Sequence, residues 1–312
     1  VRNPQIGKVM IMHLLSLFNS LPGAIAQGLI WGILALGVAV SYKILNYADL
    51  TVDGSLCTGG AVCAVCIAAG INPYLSLFYA SIAGLIAGLF TGLLHTAFGI
   101  PAILSGILMQ LALYSINMRI MGKSNVTISR TQFHLILTSA EVDQAVLVGA
   151  IFTLAVIVLL FWFFSTELGC AIRATGNNES MARAQGINTN ITKVIGLALS
   201  NGLIGLAGGL LAQYQGCSDI NMGRGAIVIG LAAVVIGRGV LGKHENFALS
   251  FCATVFGGIT YYIVLAIVIF AGLSTTDLKL FSALIVACFL SLPYLSEKYR
   301  TIHPARGGKS AC

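Results

Sequence analysis

The twenty residues from Ala145 to Phe164 carry no charge. Wound as a helix at about 1.5 Å per residue, such a run crosses a hydrocarbon core of about 30 Å. Comparable runs recur along the chain. Of its 312 residues, 57% are apolar and 9% charged, against about 45–50% and about 25% in ordinary soluble domains. No soluble fold of this size could cover that much apolar surface. The reading is an all-α, polytopic helical membrane protein of about eight spanning helices plus re-entrant or broken half-helices.

The expected spans are roughly 22–41, 55–70, 74–97, 101–118, 145–164, 191–214, 246–270 and 279–295. An apolar piece at 226–237 is too short to cross alone and is expected to be re-entrant or broken. Residues 1–20 are read as an N-terminal surface segment, with an amphipathic helix over Val1 to Met12, residues 21–296 as one transmembrane domain and 297–312 as a cytoplasmic tail, whose last residues, His303 to Cys312, are polar, Gly-rich and expected to be disordered. Val9 to Leu21 lacks the small-residue exit of a cleavable signal. With the C-terminus inside, ten Lys and Arg fall in cytoplasmic segments and seven outside, a slight bias in the expected direction.

The net charge of +7 comes from basic residues scattered singly through loops, a pattern that suits membrane anchoring and gives nucleic acid no track. Cys57, Cys63, Cys66, Cys252 and Cys288 lie in or beside apolar segments and read as small packing residues. Cys63-x-x-Cys66 has no companion pair and no nearby His, so no metal is expected. Glycines four apart, at Gly84, Gly88 and Gly92, Gly28 and Gly32, and Gly205 and Gly209, form small-residue stripes whose commoner use is internal helix packing.

Catalytic patterns are missing from the sequence. There is no His-Glu-x-x-His and no Gly-x-Ser-x-Gly, and His13, His95, His134, His244 and His303 are scattered, His95 reading as an interfacial side chain. The triplets Gly122-Lys123-Ser124 and Gly308-Lys309-Ser310 lack the upstream glycine of a phosphate loop, Asn117 and His303 standing in its place. The chain is therefore expected not to be an enzyme and to bind no cofactor itself.

The polar segment 165–190 between the fifth and sixth spans is the most informative. Asn178 is a good N-cap, Glu179 suits the positive end of a helix, and Gly186 is a good residue just past its C-terminus. These signals predict a helix of about seven residues, Glu179 to Gln185, too short to stand alone and therefore held by packing. The alternatives are a solvated connector and a short helix seated in a groove of another protein.

Asp49 and Asp53, four apart around Thr51, admit two readings: interfacial and solvated, or part of an unwound stretch facing a central cavity. Asp219 to Gly225 precedes the short apolar piece much as Asp49 to Gly54 precedes the second span, and paired interruptions of this kind point to a midplane pathway. Gln110, Asn117, Asn201 and Gln213 are further polar residues in or near spans, for which helix–helix hydrogen bonding is the commoner use.

The run Gly169-x-x-Ile172-Arg173-Ala174-x-Gly176-x-Asn178-x-x-x-Ala182-x-x-x-Gly186-Ile187 resembles the cytoplasmic coupling loop of ATP-binding-cassette (ABC) importer permeases of the branched-chain amino acid and ribose class. Leu45 to Ser55 is similar to a second motif of that class, and Gly230 to Gly237 to a third, with Arg238 where a glycine is usual. Ala48 to Ser55, Gly92 to Thr96 and Tyr114 to Lys123 look most like a subgroup assigned to aromatic or other amino acids.

The resemblance implies a multi-pass subunit of the bacterial inner membrane that forms the pathway for a small polar solute, as a homodimer or with a paralogous permease. ABC ATPase subunits using ATP and Mg would dock on its inner face, and an extracytoplasmic binding protein on its outer face. Coupling would fall to Arg173, Gly176, Asn178, Glu179, Met181, Ala182, Arg183 and Gly186, and the pathway to Asn46, Asp49, Thr51, Asp53, Ser55, Gln110 and Asn201. An ion-gradient-driven transporter or channel is the alternative, and it would usually carry an acidic residue at mid-span, whereas every Asp and Glu here lies in or near a loop in the sequence.

Overall fold

A computed structural model describes residues 4–128, 135–241, 246–270, 280–284, 286–289 and 291, with side chains from residue 20 onward except at Leu241. His134, His244 and the tail 297–312 lie outside the described residues, as do 292–295 at the end of the last expected span. The helices in order are α1 (Pro4–Val38), α2 (Val52–Ala68), α3 (Pro73–Thr96), α4 (Ala102–Met121), α5 (Val142–Phe164), α6 (Glu167–Asn177), α7 (Glu179–Ala184), α8 (Thr189–Gln215), α9 (Ala226–Leu241) and α10 (Phe247–Phe270). Residues 280–284 and 286–289 are helical as well. Helix α1 takes in residues 4–12, and it widens at its end into one π-helical stretch, Ala39–Ile44.

Among the described residues six helices are long and apolar enough to cross a membrane: α1 from Ser20, α3, α4, α5, α8 and α10. Their burial sorts them. In the most apolar stretches of α1 and α8, 83% and 78% of residues are buried, against 22% in α5 and 28% in α4. Helices α1 and α8 are thus the axis of the bundle, while α4 and α5 turn Leu104, Leu108, Leu154 and Trp162 outward. The second expected span proves to be α2, which has 17 residues and reaches about 25 Å, short of a full crossing. It can be short because it begins inside the protein, after an unwound stretch, and 12 of its residues are buried. The short apolar piece extends to 16 residues as α9.

The glycine stripes are internal. Gly84, Gly88 and Gly92 of α3 lie against Asn201, Leu197 and Val194 of α8, so closely that a methyl at Gly84 or Gly88 would collide with the backbone carbonyl it faces. Gly28 and Gly32 of α1 meet Ile259 and Val255 of α10. Backbones approach where no side chain intervenes, which gives dispersion contact in a solvent that offers no hydrophobic drive.

Two features go beyond the elements expected from the sequence. Residues 167–177 form a helix, α6, started by Thr166, whose hydroxyl accepts the Gly169 amide at 3.3 Å. Two three-residue strands, β1 (Asn125–Thr127) and β2 (Cys217–Asp219), pair antiparallel at the far end of α8 from α7. They join the α4 end of the chain to the α8 end.

Candidate functional site

Three polar groups carry the geometry. The first is a knot in the middle of the bundle. After the π-helical stretch the chain unwinds through Asn46, whose φ of +54° is left-handed, and Asp49 then accepts the Thr51 amide on Oδ1 at 2.9 Å. Its Oδ2 accepts from Asn201 Nδ2 at 2.6 Å, and Asn201 Oδ1 accepts from the Ser55 hydroxyl at 2.6 Å. The Thr91 hydroxyl donates to the Ala87 carbonyl, so Thr51 is the donor in its 2.9 Å contact with Thr91. Asp49, Thr51, Ser55, Thr91 and Asn201 are all buried. Asn201 lies near the midpoint of α8, so Asp49 sits deep in the protein, and the interfacial, solvated reading of Asp49 is corrected. A loop in the sequence is here a buried strut, because one short stretch offers both carboxyl oxygens to N–H donors and leaves neither to water.

Asp53 does different work. Its carboxylate accepts the Gly225 amide at 2.9 Å and the Ile227 amide at 3.0 Å, closing the N-terminus of α9. The two interruptions that echo one another in the sequence are therefore joined directly, and the anion sits at the positive end of α9. Asn46 falls elsewhere: with Lys43 and Arg173 it lines an open hollow of about 670 Å³ on the α6 side. The structure thus gathers Asp49, Thr51, Ser55 and Asn201, puts Asp53 and Gln110 along a neighbouring cleft, and separates Asn46 from both. Gln213 bonds the Pro73 carbonyl at 3.2 Å and accepts the Ile136 amide at 3.2 Å, tying helices and loop together. His95 packs edge-on against Tyr47, ring centroids 5.1 Å apart.

The third group is the segment α6–α7. Asn178 caps α7, its side chain accepting the Met181 amide at 3.0 Å. At the other end the Ile187 amide reaches the Ala182 carbonyl and the Gly186 amide the Arg183 carbonyl, a Schellman closure with Gly186 at φ +83°. The helix is one residue shorter than expected, and Gln185 is its C-cap. Glu179 accepts from Arg183 at 2.6 Å, from Lys193 at 2.8 Å and from the Thr189 hydroxyl at 3.2 Å, fastening α7 to the start of α8. The Lys193 ammonium bonded to it, with Arg183 beside it, holds the Glu179 carboxyl below the usual carboxylate range against a smaller opposing effect of burial. Thr175 and Thr192, hydroxyls 2.8 Å apart, fasten α6 to α8 in the same way.

Of the residues expected to couple, Ala182 faces inward and is buried, Gly176 lies against the Ile44 carbonyl with no room for a side chain, and Arg173 stands 4.7 Å over the Phe247 ring. Met181 is the large side chain that α7 turns outward, 59% exposed. Asn178 and Arg183 are also at the surface.

Residues 20–291 match the family described as "Branched-chain amino acid transport system / permease component". The chain belongs to that family. The permease is 41% identical over 265 residues to the "Tyrosine transport system permease protein" of Clostridioides difficile (strain R20291), covering 85% of this chain and 88% of that one. It is 29% identical to the "Probable branched-chain amino acid transport permease protein LivH" of Methanocaldococcus jannaschii, covering 76% and 82%. Its fold is shared with a chain of PsaBC from Streptococcus pneumoniae in complex with Fab, at TM-score 0.52 and 16% identity, over 91% of this chain and 99% of that one. The permease is a multi-pass integral protein of the bacterial inner membrane, and its relatives are transport subunits rather than enzymes.

Proposed function

We propose that this permease is the membrane subunit of a binding-protein-dependent ABC importer for an amino acid, tyrosine or another aromatic one being the first to test. The name of the C. difficile relative supports the substrate class, and the observation that carries the coupling is α7. It is capped at both ends, clamped to α8 through Glu179, and turned outward at Met181. A partner ATPase seated there would supply ATP and Mg chemistry, and a binding protein would deliver solute at the β1–β2 end. Two copies, or this chain and a paralogous one, would enclose the pathway. ATP can drive such a cycle only by binding one conformation of the assembly better than the other, and α7 is where that difference would enter.

The test is gentle purification of the tagged chain from its native membrane. An ABC ATPase in near equal amount is the expected companion, and Met181→Glu should lower its recovery and ATP-dependent uptake together while the chain still inserts. The second reading, an ion-driven transporter, draws on the buried carboxyl of Asp49. Uptake that survives ATP depletion and collapses with the ion gradient would put it first.

A further inference from the structure

Helix α4 stands on the lipid side of the bundle, yet Gln110, Tyr114 and Asn117 recur on one of its faces at helical spacing. A polar stripe facing acyl chains would be costly, so this face must meet something polar. It borders a cleft of about 220 Å³ between α2, α4 and the turn before α9, lined also by Asp53, Leu111 and Arg224. Asn117 is 1% exposed, and neither its Oδ1 nor its Nδ2 has a hydrogen-bond partner. Buried amides are as a rule paired, so the Asn117 amide has both its donor and its acceptor free to bind a polar group. The Arg224 side chain is exposed and makes no ion pair among the described residues. Asp53 accepts the Gly225 amide on one oxygen and the Ile227 amide on the other, with the Ala226 amide also turned to it, which leaves a carboxylate with about four lone pairs one to offer.

The cleft lies on the β1–β2 side of the Asp49 knot. Helix α8 runs 27 residues, about 40 Å, from α7 to β2, and the Ile220 amide bonds the Ser124 carbonyl just beyond α4. We propose that this cleft is an outer station for the translocated solute, taking the head of a free α-amino acid. Arg224 receives the carboxylate, Asp53 the ammonium, Asn117 and Gln110 the remaining hydrogen bonds, and the Tyr114 ring the side chain. The volume suits a solute smaller than the ligands of pockets of about 300–1,000 Å³. The proposal rests on the importer reading for its choice of solute. It differs from the buried knot, where Asp49 and Asn201 satisfy one another and leave no place for a guest.

The test uses the full chain in right-side-out membrane vesicles. Leu111→Cys reports the cleft, and Leu154→Cys, on the outward face of α5, reports lipid. A membrane-impermeant methanethiosulfonate should label Leu111→Cys roughly tenfold faster than Leu154→Cys, since thiol reactivity follows access to water. L-tyrosine, or a mixture of the other standard amino acids, should slow that labelling, and tyramine, which lacks the carboxylate, should not. Arg224→Gln and Asn117→Leu, each placed in the Leu111→Cys chain, should remove the protection while leaving labelling fast. The proposal is overturned if Leu111→Cys labels no faster than the lipid control, if no amino acid protects it, or if tyramine protects equally. It is also overturned if Asn117→Cys oxidises readily to a disulfide-linked dimer, because a second copy then fills the cleft. ATP-independent uptake would remove the importer reading and leave each of these arms standing.

Discussion

Single residues divide the polar groups into paired struts, such as Asn201, and unpaired amides, such as Asn117. Asn201 is a strut: it donates to Asp49 and accepts from Ser55. Asn201→Leu strands two buried groups, and about 1–3 kcal/mol per group is the cost of leaving such atoms unpaired. Removing the carboxyl as well should recover part of that loss, so the Asp49→Leu/Asn201→Leu pair should melt above the sum of the singles in a double-mutant cycle. A pair that merely adds would mean the two do not support each other. Glu179 gives a pH prediction whose sign follows from its lowered pKa. A carboxylate held down by cations contributes while ionised and loses its contribution only as pH falls through its folded value. A spin label at Ser180→Cys should therefore stay immobilised through the ordinary glutamate range near about 4.3 and loosen below it. With Glu179→Gln the label should be mobile at neutral pH and nearly insensitive to acid.

Whole elements show which physical signals the sequence carries openly. The caps of α7 were legible because Asn178 and Gly186 are local signals, readable within four residues of the helix they bound. The glycine stripes were legible as packing for the same reason, though not that α3 would use them on α8. Helix α6 was missed: Thr166 is a fair cap, but the polar composition of 165–177 masked an amphipathic helix whose inward residues are Ile172 and Thr175. The burial of Asp49 was beyond reach, because it depends on Asn201, 152 positions away. The joining of Asp53 to α9 was hinted only by the echo of two interruptions. Two substitutions test the element scale. Gly84→Ala pushes a methyl into the Asn201 carbonyl and should destabilise the α3–α8 pair by about 1–3 kcal/mol, read as a lower melting temperature in detergent. Gly186→Ala meets open space but must hold φ at +83°, at a cost of about 1–2 kcal/mol, which should loosen α7 and lower coupled ATPase activity without lowering that melting temperature. Equal melting losses in both variants would contradict this division.

At the scale of the molecule, α8 is touched by everything that matters. One end is fastened to α7 by Glu179 and Lys193 and to α6 by Thr175 and Thr192, its middle holds the Asp49 knot, and its far end leads into β2. It is buried along most of its length and continuous from end to end. A rod so enclosed moves as one body, so its two ends are mechanically a single part. In the importer reading proposed above, travel imposed at the α7 end would reach the β2 end with no break in the helix between them to absorb it.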